Sequence, residues 1–358
     1  LSLEFPKWAK NIRPQLWLNY NSYSTNSFSP YWYAWNLNVP RINRDSKKWT
    51  VDLYTNNEFV ANGEELILID KSQKLYKSKY TSNLKKYYFE NNTWRVIDSK
   101  WNTFYYGTEW NSKLNDPEDI WKIYAWNLVK LVDNRWNEII YNYFKDNNQI
   151  YLDNITYAES LYKIQFNYID KLRSLSSYRT QFEIKTSQLL SDIVFYTNNE
   201  EVKKYTLSYD DKDSVFSHLV SFEETSPPTP LLPGEGSQGN VIKSKYDFVY
   251  GTWKDIHLLK KINDNKWLEV DFEYKPSVFY KDSEGNNLNP KLPFNQKTLH
   301  KISYLDTITW INNTETFEYA GWAFYFDSKD LYWRQYAGFN KVTKTDSNQA
   351  LFTKKACD

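Results

Sequence analysis

The chain has one cysteine (Cys357), no methionine, nine glycines and three histidines in 358 residues. A lone cysteine excludes a disulfide framework and a cysteine-built metal site. The histidines, His218, His257 and His300, share no HxH or HExxH spacing, so no metal is expected. The longest apolar runs, such as "EELILID" (64–70), fall far short of the roughly 20 residues a transmembrane helix needs. A net charge of +1 argues against attachment to nucleic acid driven by phosphate contacts, a local basic stripe being the alternative. The chain begins at Leu1 without an initiator, which predicts a processed product or a fragment. Removal of an export signal is the simplest cause and predicts an extracellular or cell-surface location.

Catalytic signatures are missing as well. There is no GxSxG, no P-loop, no GxGxxG and no DxDxDG calcium loop. Carboxylates are plentiful, Glu109, Asp116, Glu118, Asp119, Glu223 and Glu224 among them. A glycosidase needs two of them about 5–9 Å apart, but solvated surface charge accounts for most of 44 acids. No catalytic residue and no cofactor is therefore assigned.

What the chain has in abundance is aromatic: 16 Trp, 31 Tyr and 20 Phe. These residues favour strands, and most of the chain alternates with a period near two. The alternating runs are bounded by Asn, Asp, Ser or Gly, and Asn tolerates the left-handed backbone that scarce glycine would otherwise supply. "NDPEDIWKIYAWNLVKLV" (115–132) has helix-start signals, but its core "IWKIYAW" alternates like a strand.

One hairpin pattern recurs. "VPRINRDSKKWTVDL" (39–53), "LKKYYFENNTWRVID" (84–98), "KLVDNRWNEII" (130–140) and "KINDNKWLEVD" (261–271) each place a Trp after a polar turn. Those residues are Trp49, Trp94, Trp136 and Trp267, and their spacing fits a unit of forty-odd residues. Short apolar strands recur in step: "LILID" (66–70), "TFYYG" (103–107), "QIYLD" (149–153), "DIVFY" (192–196), "DFVYG" (247–251), "SVFYKD" (277–282) and "TFEYAG" (316–321). A four-stranded unit at that period predicts an all-β chain, a β-propeller of about seven blades, with the four Trp buried between blades. A pair of β-sandwich domains is the alternative. A transmembrane β-barrel needs longer lipid-facing stripes than "WKDIHLLKKIND" offers. The propeller reading gives an N-terminal arm over 1–30, a repeat domain over 31–342 and a C-terminal tail over 343–358. Within the domain, "TSPPTPLLPGEGSQGN" (225–240) is rich in proline and glycine and predicts an exposed loop.

The turn-then-Trp stretches "NRDSKKW", "DNRW" and "NDNKW" resemble the Asp-box hairpins of sialidase-like propellers and the blade hairpins of aromatic-rich propeller lectins. The Asp-box glycine is absent from all of them, and the resemblance implies a fold type rather than an activity.

Exposed aromatic rings flanked by Asn, Asp and Glu suit the apolar faces and hydroxyls of sugars. Four clusters have that composition: "SPYWYAWN" (29–36), "YYGTEWN" (105–111), "VYGTW" (249–253) and "YAGW" (319–322). They nominate Trp32, Trp35, Tyr106, Glu109, Trp110, Asn111, Tyr250, Trp253, Asp255 and Trp322 as ligand-binding. The competing reading is that these rings pack inside the fold and the glycine lets the strand turn. Three functions follow: a secreted or surface binding module, glycan-directed by preference; a structural or protein-interaction domain of a larger assembly such as a toxin or envelope complex; and a glycoside-active enzyme. The partner is a glycan or a protein, and the sequence leaves the oligomeric state open.

Overall fold

The computed structural model describes residues 1–7, 12–22, 34–46, 52–79, 84–210, 217–227, 240–252, 255, 257–290, 292, 294–326, 334–347 and 351–355. The described residues form strands and short 3-10 turns, in two compact units, Leu1–Lys243 and Ser244–Asp358.

Unit 1 opens with a three-stranded antiparallel sheet of β1 (Ser2–Leu3), β2 (Leu16–Tyr20) and β3 (Trp35–Leu37). The chain then winds through β4 (Arg41–Arg44), β5 (Phe59–Ala61), β6 (Glu64–Asp70), β7 (Leu75–Ser78), β8 (Lys86–Glu90), β9 (Thr93–Ile97) and β10 (Thr103–Tyr106). Each of these pairs antiparallel with the next. After a short β11 (Lys113–Asn115), β12 (Ile123–Val132) pairs with β10 along one part and with β4 along another. That double pairing closes an eight-stranded barrel.

The barrel has a packed interior. Phe59, Tyr76, Phe89, Trp94 and Trp126 come from five different strands, and five strands of a closed barrel can meet only on its inside. Phe89 and Trp94 lie 4.7 Å apart and Phe59 and Trp94 4.9 Å, in tilted and edge-on arrangements that suit their quadrupoles. Arg44 reaches the same cluster, 5.3 Å from the Phe59 ring. Its Nε donates to the Ile123 carbonyl at 2.8 Å, and Nη1 donates to the carbonyls of Leu53 and Asn56 at 3.1 and 2.9 Å. Burial pushes its pKa below the usual arginine range.

Beyond the barrel, unit 1 continues as an antiparallel meander: β13 (Glu138–Asp146), β14 (Gln149–Tyr157), β15 (Tyr162–Ser177), β16 (Ile184–Thr197), β17 (Glu200–Asp210) and β18 (His218–Ser226). Unit 2 contains a second meander. Its strands are β19 (Val241–Tyr250, begun in unit 1), β20 (Leu259–Asn263), β21 (Leu268–Pro276), β22 (Lys297–Asp306), β23 (Asn312–Phe326), β24 (Arg334–Asp346) and β25 (Leu351–Lys355).

Two turn chemistries write most of these hairpins. Asn62–Gly63, Asn91–Asn92, Asn147–Asn148 and Asn198–Asn199 are two-residue connections with positive φ at both positions, matched to the strand twist. Asparagine thus takes the place of glycine. The second is an Asp-led five-residue turn. Asp98 Oδ1 accepts from the N–H of Lys100 and Asn102, while Asn102 Nδ2 donates to Asp98 Oδ2. Asp133 with Asn137 and Asp282 with Asn286 repeat the same bonds.

This fold overturns the seven-bladed propeller and the sandwich pair. "LILID", "TFYYG", "QIYLD" and "DIVFY", taken as first strands of successive blades, lie on β6, β10, β14 and β16, within one continuous hydrogen-bonded sheet. The expected inter-blade tryptophans do not behave alike either. Trp94 is 0 % exposed, whereas Trp136 is 86 % and Trp267 54 % exposed at turn tips, and Trp49 lies outside the described residues. Of the proline-rich segment 225–240, residues 228–239 also lie outside the described residues.

Candidate functional site

A cleft of unit 1, about 740 Å³, opens between the β1–β3 sheet and strands of the barrel and meander. Trp17 and Trp35 face it from β2 and β3, and Tyr143 and Gln149 from β13 and β14. Its polar walls are held by internal bonds. Tyr143 donates its hydroxyl to the Leu128 carbonyl at 2.6 Å, and Gln149 Nε2 donates to Thr186 Oγ1 at 3.1 Å. Asn38 Nδ2 donates to the Gln15 carbonyl at 3.0 Å. The ionisable lining is two arginines, Arg41 and Arg179, and two tyrosines, Tyr124 and Tyr143. Among the described residues no Asp, Glu, His, Lys or Cys lines it.

A second cavity, about 270 Å³, is bordered by Glu109, Trp110, Asn111 and Ser112 together with Tyr141, Asn142 and Tyr143. Three nominated residues meet here. Trp110 starts a 3-10 turn, Trp110–Ser112, fixed by Ser112 Oγ donating to the Glu109 carbonyl at 2.6 Å. The ring is half-exposed, but Lys145 Nζ sits 4.7 Å from its centroid and donates to Asn115 Oδ1 at 2.8 Å. Burial, reinforced by the charge of Lys113, brings the Lys145 ammonium down to about 8. Burial alone lowers Lys113.

The other nominated residues do not converge. Trp35 is buried against Tyr20, with ring centroids 5.5 Å apart. Tyr106 is buried on β10 opposite Trp94 and Leu128, and desolvation raises its hydroxyl pKa beyond the titratable range. Tyr250 ends β19, paired with Leu259. Asp255 forms ion pairs with Lys260, at 3.4 Å, and with Lys297. Trp322 falls on β23, in register with Phe339 of β24. Trp32 and Trp253 lie outside the described residues.

The glycines of the Tyr-Gly clusters have packing roles. A Cβ on Gly107, which has φ +67°, would stand 2.3 Å from Cδ1 of buried Trp126. A Cβ on Gly251 would stand 2.5 Å from the Asp255 carbonyl oxygen. These close approaches explain the repeated "YGT" without a ligand. Sequence reasoning missed the surface feature that is most regular. Trp101, Trp136 and Trp310 project from turn tips with positive φ, each some three-quarters or more exposed. The signal was legible as D-x-x-W-N at 98–102 and 133–137.

No protein-family profile matches the chain, and no curated protein is similar to it. Solved structures are. A TcdB2-TccC3 structure without its hypervariable C-terminal region superposes on 99% of this chain with a TM-score of 0.76 at 13% identity. The Tc holotoxin pore of Photorhabdus luminescens covers 86% of it, with a TM-score of 0.59 and 17% identity. The N-terminal domain of effector protein SpvB from Salmonella typhimurium strain LT2 matches 64% of this chain over 99% of its own, with a TM-score of 0.56 and 17% identity. The likeness is one of fold. This chain spans 35% of the TcdB2-TccC3 chain and 17% of the holotoxin chain. Among the described residues no cluster of His, Cys, Asp and Glu is arranged to hold a metal, and no helix is long and apolar enough to cross a membrane.

Proposed function

We propose that this chain is a non-catalytic structural and protein-interaction domain of a larger extracellular assembly, of the toxin-complex kind. The observation that carries the reading is the superposition of 99% of the chain onto little more than a third of a TcdB2-TccC3 chain. A domain that matches one part of a large two-component protein, along nearly its whole length, fits a building block better than a self-contained enzyme or lectin. The exposed indoles support the same reading, since tryptophan is among the residues that anchor protein interfaces. The glycan reading draws no comparable support. Two of its rings, Trp35 and Tyr106, are buried, and the structures that superpose are toxin-related.

The test is to produce the full chain together with the other polypeptides of its source and to weigh what it elutes with. A stoichiometric complex containing a different polypeptide is expected. A chain that stays alone while it titrates an oligosaccharide panel, or hydrolyses a generic glycoside, would refute the proposal.

A further inference from the structure

The turns that carry Trp101 and Trp136 belong to a row. Because β9 to β17 run antiparallel, the β9–β10, β12–β13, β14–β15 and β16–β17 connections all fall at one end of unit 1. Two strands separate each turn from the next, which spaces the four tips by about 10 Å each. The first two are locked side by side by Asn134 Nδ2, which donates to the Lys100 carbonyl at 3.2 Å.

Their composition is not uniform. The first two tips present Lys100 with Trp101 and Arg135 with Trp136, while their aspartates are turned inward onto backbone N–H groups. The third tip carries Glu159, and beside the fourth, Asn198–Asn199, stand Glu200 and Glu201, the first two residues of β17. All of these side chains are exposed, and none of the five charged ones has an ion-pair partner. Trp101 and Trp136 hold φ of 65° and 67°, a conformation that costs a bulky residue on the order of 1–2 kcal/mol. Gly285 occupies the same place in the Asp282 turn without that cost. The backbone therefore does not require tryptophan there, and the rings are explained by what they contact.

We propose that this row of tips is a two-fold interface between two copies of the chain. A two-fold contact needs one self-complementary patch, and here the basic aromatic half and the acidic half lie on the same edge at equal spacing. Rotation about the middle of the row sets Lys100 and Trp101 of one copy against Glu200 and Glu201 of the other, and Arg135 and Trp136 against Glu159. Four indole rings at roughly 150–250 Å² each bury about 600–1,000 Å², the range of weak, transient interfaces. The dimer is accordingly micromolar and weakened by salt. The inference goes beyond the assembly reading and needs only the chain itself.

Sedimentation equilibrium on the full chain, from about 1 to a few hundred micromolar, is the test. A reversible dimer is expected, weaker by tenfold or more in the Trp101→Gly, Trp136→Gly double variant, whose urea midpoint stays at or above that of the parent. Lys100→Glu with Arg135→Glu, and separately Glu159→Lys with Glu200→Lys and Glu201→Lys, should each abolish self-association. Mixed together, the two variants should pair with each other. A zero-length carbodiimide cross-link from Lys100 to Glu200 or Glu201 of the other copy should form at dimer concentrations. A monomer at all concentrations, a dimer indifferent to the glycine variant, or charge variants that do not rescue each other would overturn the proposal. So would a monomer that instead uses these rings to bind anionic phospholipid vesicles.

Discussion

Gly107 shows how far a single backbone position can be constrained. Its positive φ and the absent Cβ are both needed, because the Trp126 ring occupies the space a methyl would take. Gly107→Ala should lower the unfolding free energy by about 2–4 kcal/mol, combining left-handed strain with overpacking. Gly285→Ala, also at positive φ but with nothing within 4 Å, should cost only about 1–2 kcal/mol. Urea titration of both variants separates the clash from the strain, and equal costs would contradict the packing role given to Gly107. Arg44 is the second such residue. Arg44→Met removes a half-desolvated charge but leaves the carbonyls of Ile123, Leu53 and Asn56 without their donors, so a loss of about 3 kcal/mol is expected by the same titration. Lys145 carries a pH dependence. It releases its proton at about 8 in the folded chain, against an ordinary 10.5. Between those values the unfolded chain binds more protons, so stability rises with pH, whereas below about 8 both states are protonated and the slope vanishes. Lys171, lowered to about 8 by burial, adds to the same window. Urea midpoints from pH 7 to 9.5 should rise in the parent and flatten in a Lys145→Met, Lys171→Met double variant.

At the scale of the hairpin, the legible part of the sequence was its turn chemistry. The scarcity of glycine beside abundant asparagine pointed to left-handed Asn, and three Asn-Asn turns have it. Of the alternating core "IWKIYAW" (120–126), residues 123–126 open β12, while 120–122 belong to the turn before it. Equating the tryptophans of different hairpins was the error. Trp94 follows "NNT" and is the second residue of β9, facing the barrel interior; Trp136 is the fourth residue of an Asp-led turn and faces solvent. A polar turn followed by Trp describes both, and the Asp three residues before Trp136 and the Asn after it, neither of which flanks Trp94, tell them apart. The Asp is what holds the second kind of turn. Asp133→Ala removes the acceptor of two backbone N–H groups and should cost about 1–2 kcal/mol, whereas Asn134→Ala on the same tip should cost under 0.5. Chemical denaturation of the pair checks the assignment.

For the whole molecule, the sequence yielded the all-β class but not the closure. The barrel exists because β12 pairs with β4, some eighty positions earlier, through Trp126 opposite Ile42. No local period encodes that contact, and hairpins of similar length recur in a meander as readily as in blades. The nominated binding residues were legible in part for the same reason. Glu109, Trp110 and Asn111 are contiguous in sequence and so share a cavity, whereas bringing Tyr250, Asp255 and Trp322 together would have needed non-local pairings that the strands do not make. What the architecture offers is a packed barrel, two meanders and a cleft lined largely by aromatic, amide and aliphatic side chains. The central claim, that the chain serves as an interaction domain of a larger assembly, is tested most directly by the mass of the particle that holds it when its source's other polypeptides are present. The account predicts a stoichiometric complex with a different polypeptide, well above twice the 43.1 kDa of the chain. Recovery of the chain alone, or only as its own dimer, together with glycan binding or glycoside turnover, would contradict it.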